Sequence, residues 1–186
     1  MTSKMEKMTD MRSGSIRLAG EDEFETARAF YHRITDALAD TPYGPGWKKD
    51  IYPDPQMLKE ALAKGQLYLL EIDGKTEGAM IVNSDTNEAY ETFCWQHSWR
   101  PDEVLVIHAL GVHPSVGRKG YAKQMVRFVL TMAAQQQKKA VRLDVLKGNV
   151  PAEHLYPGLG FVYEGELPMY YEDTGETMYE LYEYTL

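Results

Sequence analysis

The residues best suited to chemistry in this sequence are four cations beside a glycine-containing turn that opens a helix. The segment HPSVGRKGYAKQMV (113–126) contains Arg118, Lys119 and Lys123, and Arg127 follows it directly. The N-terminal end of a helix carries partial positive charge, so each cation placed there is repelled by about a few tenths of a kcal/mol. An anionic ligand would relieve that repulsion. The arrangement therefore predicts that this turn binds an anion.

The charge is unevenly distributed along the chain. The protein has 186 residues and a formal net charge of −8, yet residues 104–143 contain seven lysines and arginines and no acid. A nucleic-acid-binding protein needs a broad basic surface, so this pattern favours a small, defined anion instead. The competing interpretation is a solvated helix face, which accounts for Lys138 and Lys139 because cations favour a helix C-terminus. It does not account for Arg118 and Lys119.

The turn has the composition of a phosphate-binding loop. Backbone N–H groups at the start of a helix can converge on one anion, and Gly117 and Gly120 permit close approach of the backbone. The predicted donors are the N–H groups of Arg118, Lys119, Gly120, Tyr121 and Ala122. A P-loop needs a lysine followed by serine or threonine, and a dinucleotide loop needs G-x-G-x-x-G. Neither pattern is present, which argues against nucleoside triphosphates and NAD.

Hydrophobic periodicity predicts one α/β domain over residues 15–186, with residues 1–14 as a flexible lead-in. The predicted element order is β-α-α-β-β-β-α-β-α-β-β. The strand at 104–112 is almost wholly apolar and should be central in the sheet, and the helix after the turn should have about five turns. Residues 84–103 are predicted to be irregular. The segment VPAEHLY is a short helix, and two strands around the sequence DTG close the chain.

These motifs resemble the GNAT superfamily of acyl-CoA-dependent N-acetyltransferases. That family places V-x-P and then [Q/R]-x-x-G-x-[G/A] between a strand and a helix, followed downstream by N-x-x-A, L-Y and G-F. The matching residues here are Val112-His113-Pro114, Gly117-Arg118-Lys119-Gly120-Tyr121-Ala122, Asn149, Ala152, Leu155, Tyr156, Gly160 and Phe161. Gly117 departs from the usual glutamine or arginine. The departure removes one side-chain contact and none of the predicted backbone donors.

The resemblance implies a fold, a reaction and a cofactor site. The fold is a single domain with a mixed, mostly antiparallel twisted sheet flanked by helices. The reaction is acetyl transfer from acetyl-CoA to a primary amine, directly within a ternary complex. The turn around Arg118 and Lys119 would hold the CoA diphosphate, with Lys123 near it or the ribose phosphate. The backbone groups of Leu110 and Val112 would pair with the pantetheine arm. Asn149 would either bind that arm or cap the last helix, and these two roles stay open.

Tyr156 matches the family tyrosine that approaches the CoA sulfur, and it is the predicted acid; the alternative is a core tyrosine. Pro157 follows it and disfavours helical geometry at Tyr156, which would displace the hydroxyl. Two candidates remain for the base. Glu103 enters the central strand and His108 lies within it, although a satisfied histidine in the sheet is the favoured account of His108. A free amine would need no dedicated base. We find no convincing set of metal ligands and predict no metal.

An acceptor pocket is expected where aromatic and acidic residues gather around the first helix-loop-helix, the 84–103 segment and the final hairpin. These residues are Tyr43, Trp47, Tyr52, Tyr90, Trp95, Trp99, Glu164, Glu166, Glu172 and Asp173. Such a pocket would suit a cationic amine. The alternative is that the aromatics cover the core and the acids only improve solubility.

Two other functions fit the same residues. One is a non-catalytic acyl-CoA sensor with the same fold, which the Gly117 and Pro157 departures keep open. The other is a binding protein for a different phosphate ligand. The single cysteine, Cys94, permits no internal disulfide, and the first residues have no apolar signal-peptide core, so we expect a cytoplasmic protein. A homodimer through the C-terminal strands is compatible with the resemblance, whereas nucleic acid and membrane are not expected partners.

Overall fold

A computed structural model describes residues 14–186, which form one seven-stranded sheet with helices on both faces. The strands are β1 (Ser15–Leu18), β2 (Leu67–Ile72), β3 (Lys75–Asn83), β4 (Val104–Val112), β5 (Ala140–Leu146), β6 (Val162–Tyr171) and β7 (Gly175–Thr185). The helices are α1 (Phe24–Leu38), α2 (Pro55–Ala63), α3 (Ala89–Thr92), α4 (Tyr121–Gln135) and α5 (Val150–Leu155). The predicted lead-in, apart from Gly14, lies outside the described residues.

The sheet order is β1-β2-β3-β4-β5-β7-β6, and every neighbouring pair is antiparallel except β4 and β5. The fold class predicted from the sequence, an α/β domain with a mixed, mostly antiparallel sheet, is therefore confirmed. The structure adds α3, a single turn within the segment predicted to be irregular. It also shortens α4 to 15 residues, about four turns instead of five.

Alternating side chains of the strands build two cores, one on each face of the sheet. On one face, Leu70 of β2 packs with Met125 and Val129 of α4. On the other face, Leu69 packs with Phe30 of α1 and with residues of α2. Each fully buried side chain of this size contributes roughly 1.5–3 kcal/mol to folding. Because α4 is fixed by this apolar stripe, the turn that precedes it is held at the end of β4.

The parallel strands β4 and β5 diverge halfway along the sheet. Their pairing covers only 104–106 against 140–142, while β5 continues to pair with β7 along its whole length. A bulge accompanies the divergence: Ala79 and Ile81 of β3 pair with Gly111 and His108, so β4 carries one extra residue there. Ala109 within the bulge has φ 49°. Beyond Val106, no strand in residues 14–186 pairs with the edge of β4 that faces β5.

The bulge is fixed by a hydrogen bond from α1. The Tyr31 hydroxyl donates to the carbonyl oxygen of Ala109 over 2.9 Å, and both residues are buried. Burial without a competing charge raises the pKa of Tyr31 well above its ordinary value, so the hydroxyl stays a donor. The gap between the strands is thus a built feature of the fold. It opens directly beside the turn that the sequence marks as an anion site.

Candidate active site

The turn after β4 is shaped to expose its backbone. A short 3₁₀ turn at Pro114–Val116 is followed by Arg118 with φ 64° and Gly120 with φ 82°, both left-handed. Helix α4 begins at Tyr121, and Gly120 at its N-cap offers no side chain to satisfy the first N–H groups. A Cβ added at Gly120 would meet no heavy atom within 4 Å, so the space in front of the helix is open.

Four of the five predicted backbone donors in this turn have no hydrogen-bond acceptor among the described residues. Within residues 14–186, the N–H groups of Arg118, Lys119, Gly120 and Ala122 find no acceptor. The N–H of Gly117 differs, because it donates to the carbonyl oxygen of Pro114 over 3.0 Å. These four N–H groups lie close together at the start of a long helix, which is the arrangement of an anion-binding concavity. The side chain of Tyr121 points away from it into the core, where it is 7% exposed.

The four cations of the turn are exposed and have no ion-pair partner among the described residues. They are Arg118, Lys119, Lys123 and Arg127. Cations elsewhere in the fold do pair: Arg17 contacts two carboxylates, and Arg142 contacts Glu183 over 2.7 Å. No acid among the described residues therefore compensates the positive charge at the start of α4. A diphosphate fits both the free N–H groups and this charge.

A cavity of about 90 Å³ lies in the gap between β4 and β5. One wall is the diverging part of β4, and the opposite wall is the C-terminal half of β5 with α5. The rest is closed by the α1–α2 loop and the β6–β7 hairpin. The lining residues are Pro45, Trp47, Tyr52, Ile107, His108, Ala109, Leu110, Asp144, Val145, Leu146, Asn149, Ala152, Tyr156, Tyr171, Asp173 and Tyr179.

Tyr156 lies in this cavity, as a candidate acid must. Its ring packs against Phe161 and Tyr182, with centroid distances of 5.5 and 6.2 Å. Its hydroxyl makes no hydrogen bond within the described part of the chain. The expectation that Pro157 prevents helical geometry was wrong: Tyr156 has φ −71° and ψ −47°, because Pro157 instead begins a separate 3₁₀ turn. Burial and the charge of Asp144 raise the pKa of Tyr156 well above the ordinary value, so it stays protonated.

Asp144 of β5 is the residue that sequence reasoning missed. Its carboxylate lines the cavity and accepts hydrogen bonds from the hydroxyls of Tyr90, over 2.8 Å, and Tyr171, over 3.2 Å. Burial raises its pKa to about 6, and the two hydroxyls oppose that rise. A carboxylate with a pKa near 6 is a competent base at neutral pH. The only sequence signal was an acid in the otherwise apolar run LDVL.

His108 also lines the cavity but is a weaker base. Its Nε2 lies 2.8 Å from Oδ1 of Asn83, whose amide nitrogen donates to Gln66 and Asp85. That amide orientation leaves Oδ1 as an acceptor, so Nε2 of His108 carries the hydrogen. Burial lowers the pKa of His108 to about 4, although Asp85 opposes the shift. At neutral pH the imidazole is therefore uncharged and held in one orientation.

Glu103 is not brought to the cavity. It ends a 3₁₀ turn before β4, and its carboxylate accepts the backbone N–H of Arg100 over 2.9 Å. The cavity begins at Ile107, four residues further along a strand that rises about 3.3 Å per residue. The structure thus gives Glu103 a capping role at the opposite end of β4 from the anion-binding turn.

Three other predicted residues are placed at the edge of the cavity or next to it. Asn149 and Leu110 line it, and Val112 pairs with Gly78 of β3 at the end of the strand. Asn149 occupies the N-cap position of α5, yet its side chain makes no capping hydrogen bond. The cap that the sequence allowed is therefore not formed, and the amide is available to a ligand.

The predicted aromatic and acidic pocket is found in part. Trp47, Tyr52 and Asp173 line the cavity, and Tyr90 supports it through Asp144. The other predicted members lie elsewhere. Tyr43 and Glu172 are exposed. Trp95 stacks over the Arg142 guanidinium, and Trp99 stacks on His97. Glu164 accepts a hydrogen bond from the Gln96 N–H, and Glu166 forms an ion pair with Lys147. Tyr171 and Tyr179 complete the pocket.

The described chain offers neither a metal centre nor a membrane span. In residues 14–186, no group of three or more histidine, cysteine, aspartate or glutamate side chains is placed to hold a metal ion. None of the helices there is both long and apolar enough to cross a bilayer.

A comparison with known protein families decides the assignment. A sequence model described as the acetyltransferase (GNAT) family matches residues 32–161, which include β4, the anion-binding turn, α4, β5 and Tyr156. The chain belongs to the GNAT acetyltransferase family. No curated protein sequence matches this GNAT acetyltransferase.

Solved structures share the fold of this GNAT acetyltransferase. It is similar to a GNAT-family acetyltransferase from Streptococcus agalactiae, with a TM-score of 0.76, 21% identity, and coverage of 93% of this chain and 95% of that one. The ribosomal-protein-S5-alanine acetyltransferase from Vibrio fischeri gives a TM-score of 0.68 at 15% identity, covering 95% and 94%. yncA from Salmonella typhimurium, a structure with its cofactor acetyl-CoA, gives 0.65 at 15% identity, covering 94% of each chain.

Proposed function

We propose that this GNAT acetyltransferase moves an acetyl group from acetyl-CoA to a primary amine by direct transfer in a ternary complex. One observation carries the proposal: the gap between β4 and β5 brings Asp144 and Tyr156 together beside the open, cationic turn before α4. An acetyl-CoA whose diphosphate occupied that turn would extend its pantetheine arm along the unpaired edge of β4. The thioester would then reach the cavity.

The chemistry is divided between the two sides of the cavity. The acceptor arrives as an ammonium ion. Burial in the cavity lowers the pKa of this ammonium group and raises the pKa of Asp144, so the two pKa values converge. Asp144 takes the proton, and the free amine attacks the acetyl carbonyl. As the C–N bond forms and the C–S bond breaks, Tyr156 donates a hydrogen bond to the departing thiolate, and the second proton that the nitrogen loses converts this thiolate to the thiol.

Direct transfer is favoured over a covalent acetyl-enzyme by what lines the cavity. Cysteine, serine, threonine and lysine are absent from its lining within residues 14–186. The single cysteine, Cys94, is exposed and outside the cavity. An acetyl-enzyme needs a nucleophile next to the thioester, activated by a base. The arrangement instead supplies a base and an acid for a single displacement.

The test is thiol release from acetyl-CoA with a panel of small primary amines, with the acetylated product identified by mass spectrometry. We expect turnover on at least one amine class, and no acetylated protein intermediate when the enzyme is mixed with acetyl-CoA alone. If acetyl-CoA binds in calorimetry but no amine is acetylated, the protein is an acyl-CoA sensor. If coenzyme A does not bind and inorganic diphosphate does, the turn serves a different phosphate ligand.

Replacing both Arg118 and Lys119 with alanine is expected to raise the Kd for acetyl-CoA about 10- to 100-fold, because two uncompensated cations at the anion site are lost. Calorimetry at low and high salt measures this, and the variant should also show a weaker salt dependence. Lys139→Ala is the matched control, since it removes an exposed cation from the same acid-free stretch at the far end of α4. An equal loss of affinity in that control would show a general charge effect and contradict a local site.

A further inference from the structure

The cavity contains a second carboxylate that has no task in the acetyl transfer itself. Asp173 lies in the turn between β6 and β7, and only 5% of its surface is exposed. Its Oδ1 is buried and makes no hydrogen bond within the described part of the chain, although the residue lines the cavity. Buried polar atoms are nearly always hydrogen-bonded in native proteins, so an unpaired carboxylate oxygen on a residue that lines the cavity points to a missing partner.

The missing partner must be a hydrogen-bond donor, and a cationic donor would also offset the charge of the buried carboxylate. A carboxylate oxygen accepts hydrogen bonds but cannot donate them, and burial has already raised the pKa of Asp173 above its ordinary value. The backbone N–H groups of Asp173 and Thr174 oppose that rise, and so does the charge of Lys48. Lys48 is exposed and forms no ion pair with Asp173, so it does not neutralise the buried oxygen.

The surrounding side chains are suited to an organic cation rather than a hydrated metal ion. Trp47, Tyr52, Tyr171 and Tyr179 line the same part of the cavity. Tyr52 and Tyr171 have ring centroids 5.6 Å apart, and those of Tyr171 and Tyr179 are 5.0 Å apart. Aromatic rings attract ammonium groups through their negative faces and pack against methylene chains. A carboxylate set among such rings is therefore a site for an alkylammonium group.

Asp173 and Asp144 act on different parts of the cavity. The charge of Asp144 raises the pKa of Tyr156, whereas no effect of Asp173 on Tyr156 is resolved. Both carboxylates raise the pKa of Tyr52 and Tyr179, so both act on these two rings. Asp144 thus lies at the reacting end with Tyr156. Asp173 lies at the other end, near the α1–α2 loop.

We propose that the amine acceptor carries a second ammonium group, and that Asp173 binds it while the first amine is acetylated beside Asp144 and Tyr156. The acceptor class is therefore an α,ω-diamine or a longer polyamine. The proposal rests on the acetyltransferase function proposed above and adds a specificity residue to it. Asp173 positions the substrate and takes no part in proton transfer. Its loss should therefore raise KM for diamines and change kcat little.

The first arm of the test uses the unmodified protein. Thiol release is measured with 1-aminobutane, 4-amino-1-butanol and the diamines from 1,3-diaminopropane to 1,6-diaminohexane. We expect kcat/KM for the best diamine to exceed that for 1-aminobutane by 10-fold or more, with the amino alcohol close to the monoamine. The optimal length would measure the span between the two carboxylates. A ratio below 2 at every length would overturn the proposal.

The second arm compares Asp173→Asn with Glu176→Gln. Both exchange a carboxylate for an amide on the same hairpin, but Glu176 is exposed and outside the cavity. We expect Asp173→Asn to raise KM for the best diamine about 10- to 100-fold, the size of a lost charge-assisted hydrogen bond, and to leave the monoamine within 2-fold. Glu176→Gln should change neither. Equal losses on both substrates in Asp173→Asn would give Asp173 a structural role and overturn the proposal.

Failure of the acetyltransferase function gives a different result. If no amine is acetylated, diamine binding is measured by calorimetry on the unmodified protein and on Asp173→Asn. Weaker diamine binding in the variant would support the cation site without the reaction. Undetectable diamine binding in the unmodified protein, or equal binding in both, would overturn the site as well.

Discussion

Replacing Asp144 with asparagine is expected to lower kcat about 100-fold or more, because the amide cannot take the proton from the incoming ammonium ion. The pH profile should change with it. Asp144 must be ionised to act as a base, and its pKa is about 6, so activity of the unmodified protein should fall about tenfold per pH unit below pH 6. In Asp144→Asn this acid limb should disappear. Steady-state rates between pH 5 and 9 measure both effects.

The same substitution should stabilise the fold, which separates lost chemistry from lost structure. The pKa of Asp144 is raised from 3.8 to about 6 on folding, so the folded state binds the proton more tightly than the unfolded chain. The stabilisation of the fold by this more tightly bound proton is complete below pH 4 and is lost as the pH rises through 6. At pH 8 the buried charge therefore destabilises the protein by roughly 2–3 kcal/mol. In urea unfolding at pH 8, Asp144→Asn should have a higher free energy of unfolding than the unmodified protein. The difference should become smaller as the pH is lowered.

A positioning variant sharpens the assignment of the base. Tyr90 donates to Asp144 but does not line the cavity, and its hydrogen bond lowers the pKa of that carboxylate. Tyr90→Phe should therefore move the acid limb to higher pH while leaving a measurable kcat. An acid limb that persists unchanged in Asp144→Asn would identify another base, and one that does not move in Tyr90→Phe would contradict the coupling.

The sequence identified the elements of this fold because their signals are local. The strand at 104–112 is found with its predicted bounds, since it is an almost wholly apolar run followed by polar residues. The turn predicted to bind an anion was equally visible, because its glycines, its cations and the start of the helix all lie within ten residues of sequence. The family resemblance added Tyr156, and the structure places it in the cavity.

The proposed base was not visible in the sequence because its environment is made by distant parts of the chain. Asp144 stands out only once β4 and β5 diverge, and that divergence depends on a bulge held by Tyr31 from α1. Its hydroxyl donors come from α3 and β6. Glu103, in contrast, was chosen for lying near the central strand in sequence. A nine-residue strand has two distant ends, and sequence proximity did not show which end carries the cavity.

Replacing Tyr156 with phenylalanine should lower kcat about 100-fold, because the developing thiolate loses its hydrogen-bond donor. The Kd for acetyl-CoA should stay within 2-fold, since the phosphates are expected at the turn before α4. The fold should be unaffected: the hydroxyl bonds to no other described residue, and phenylalanine keeps the packing on Phe161 and Tyr182. Tyr163→Phe, at an exposed tyrosine of β6 outside the cavity, is the matched control.

The leaving group provides the test that a merely structural tyrosine would not pass. Selenocoenzyme A leaves as a less basic anion than coenzyme A and needs less stabilisation from a donor. If Tyr156 meets the departing atom, the defect of Tyr156→Phe should shrink severalfold with the acetyl selenoester, while the small effect of Tyr163→Phe stays the same for both donors. An equal defect with both donors would place Tyr156 in the cavity wall alone. The proton for the thiolate would then have to come from solvent.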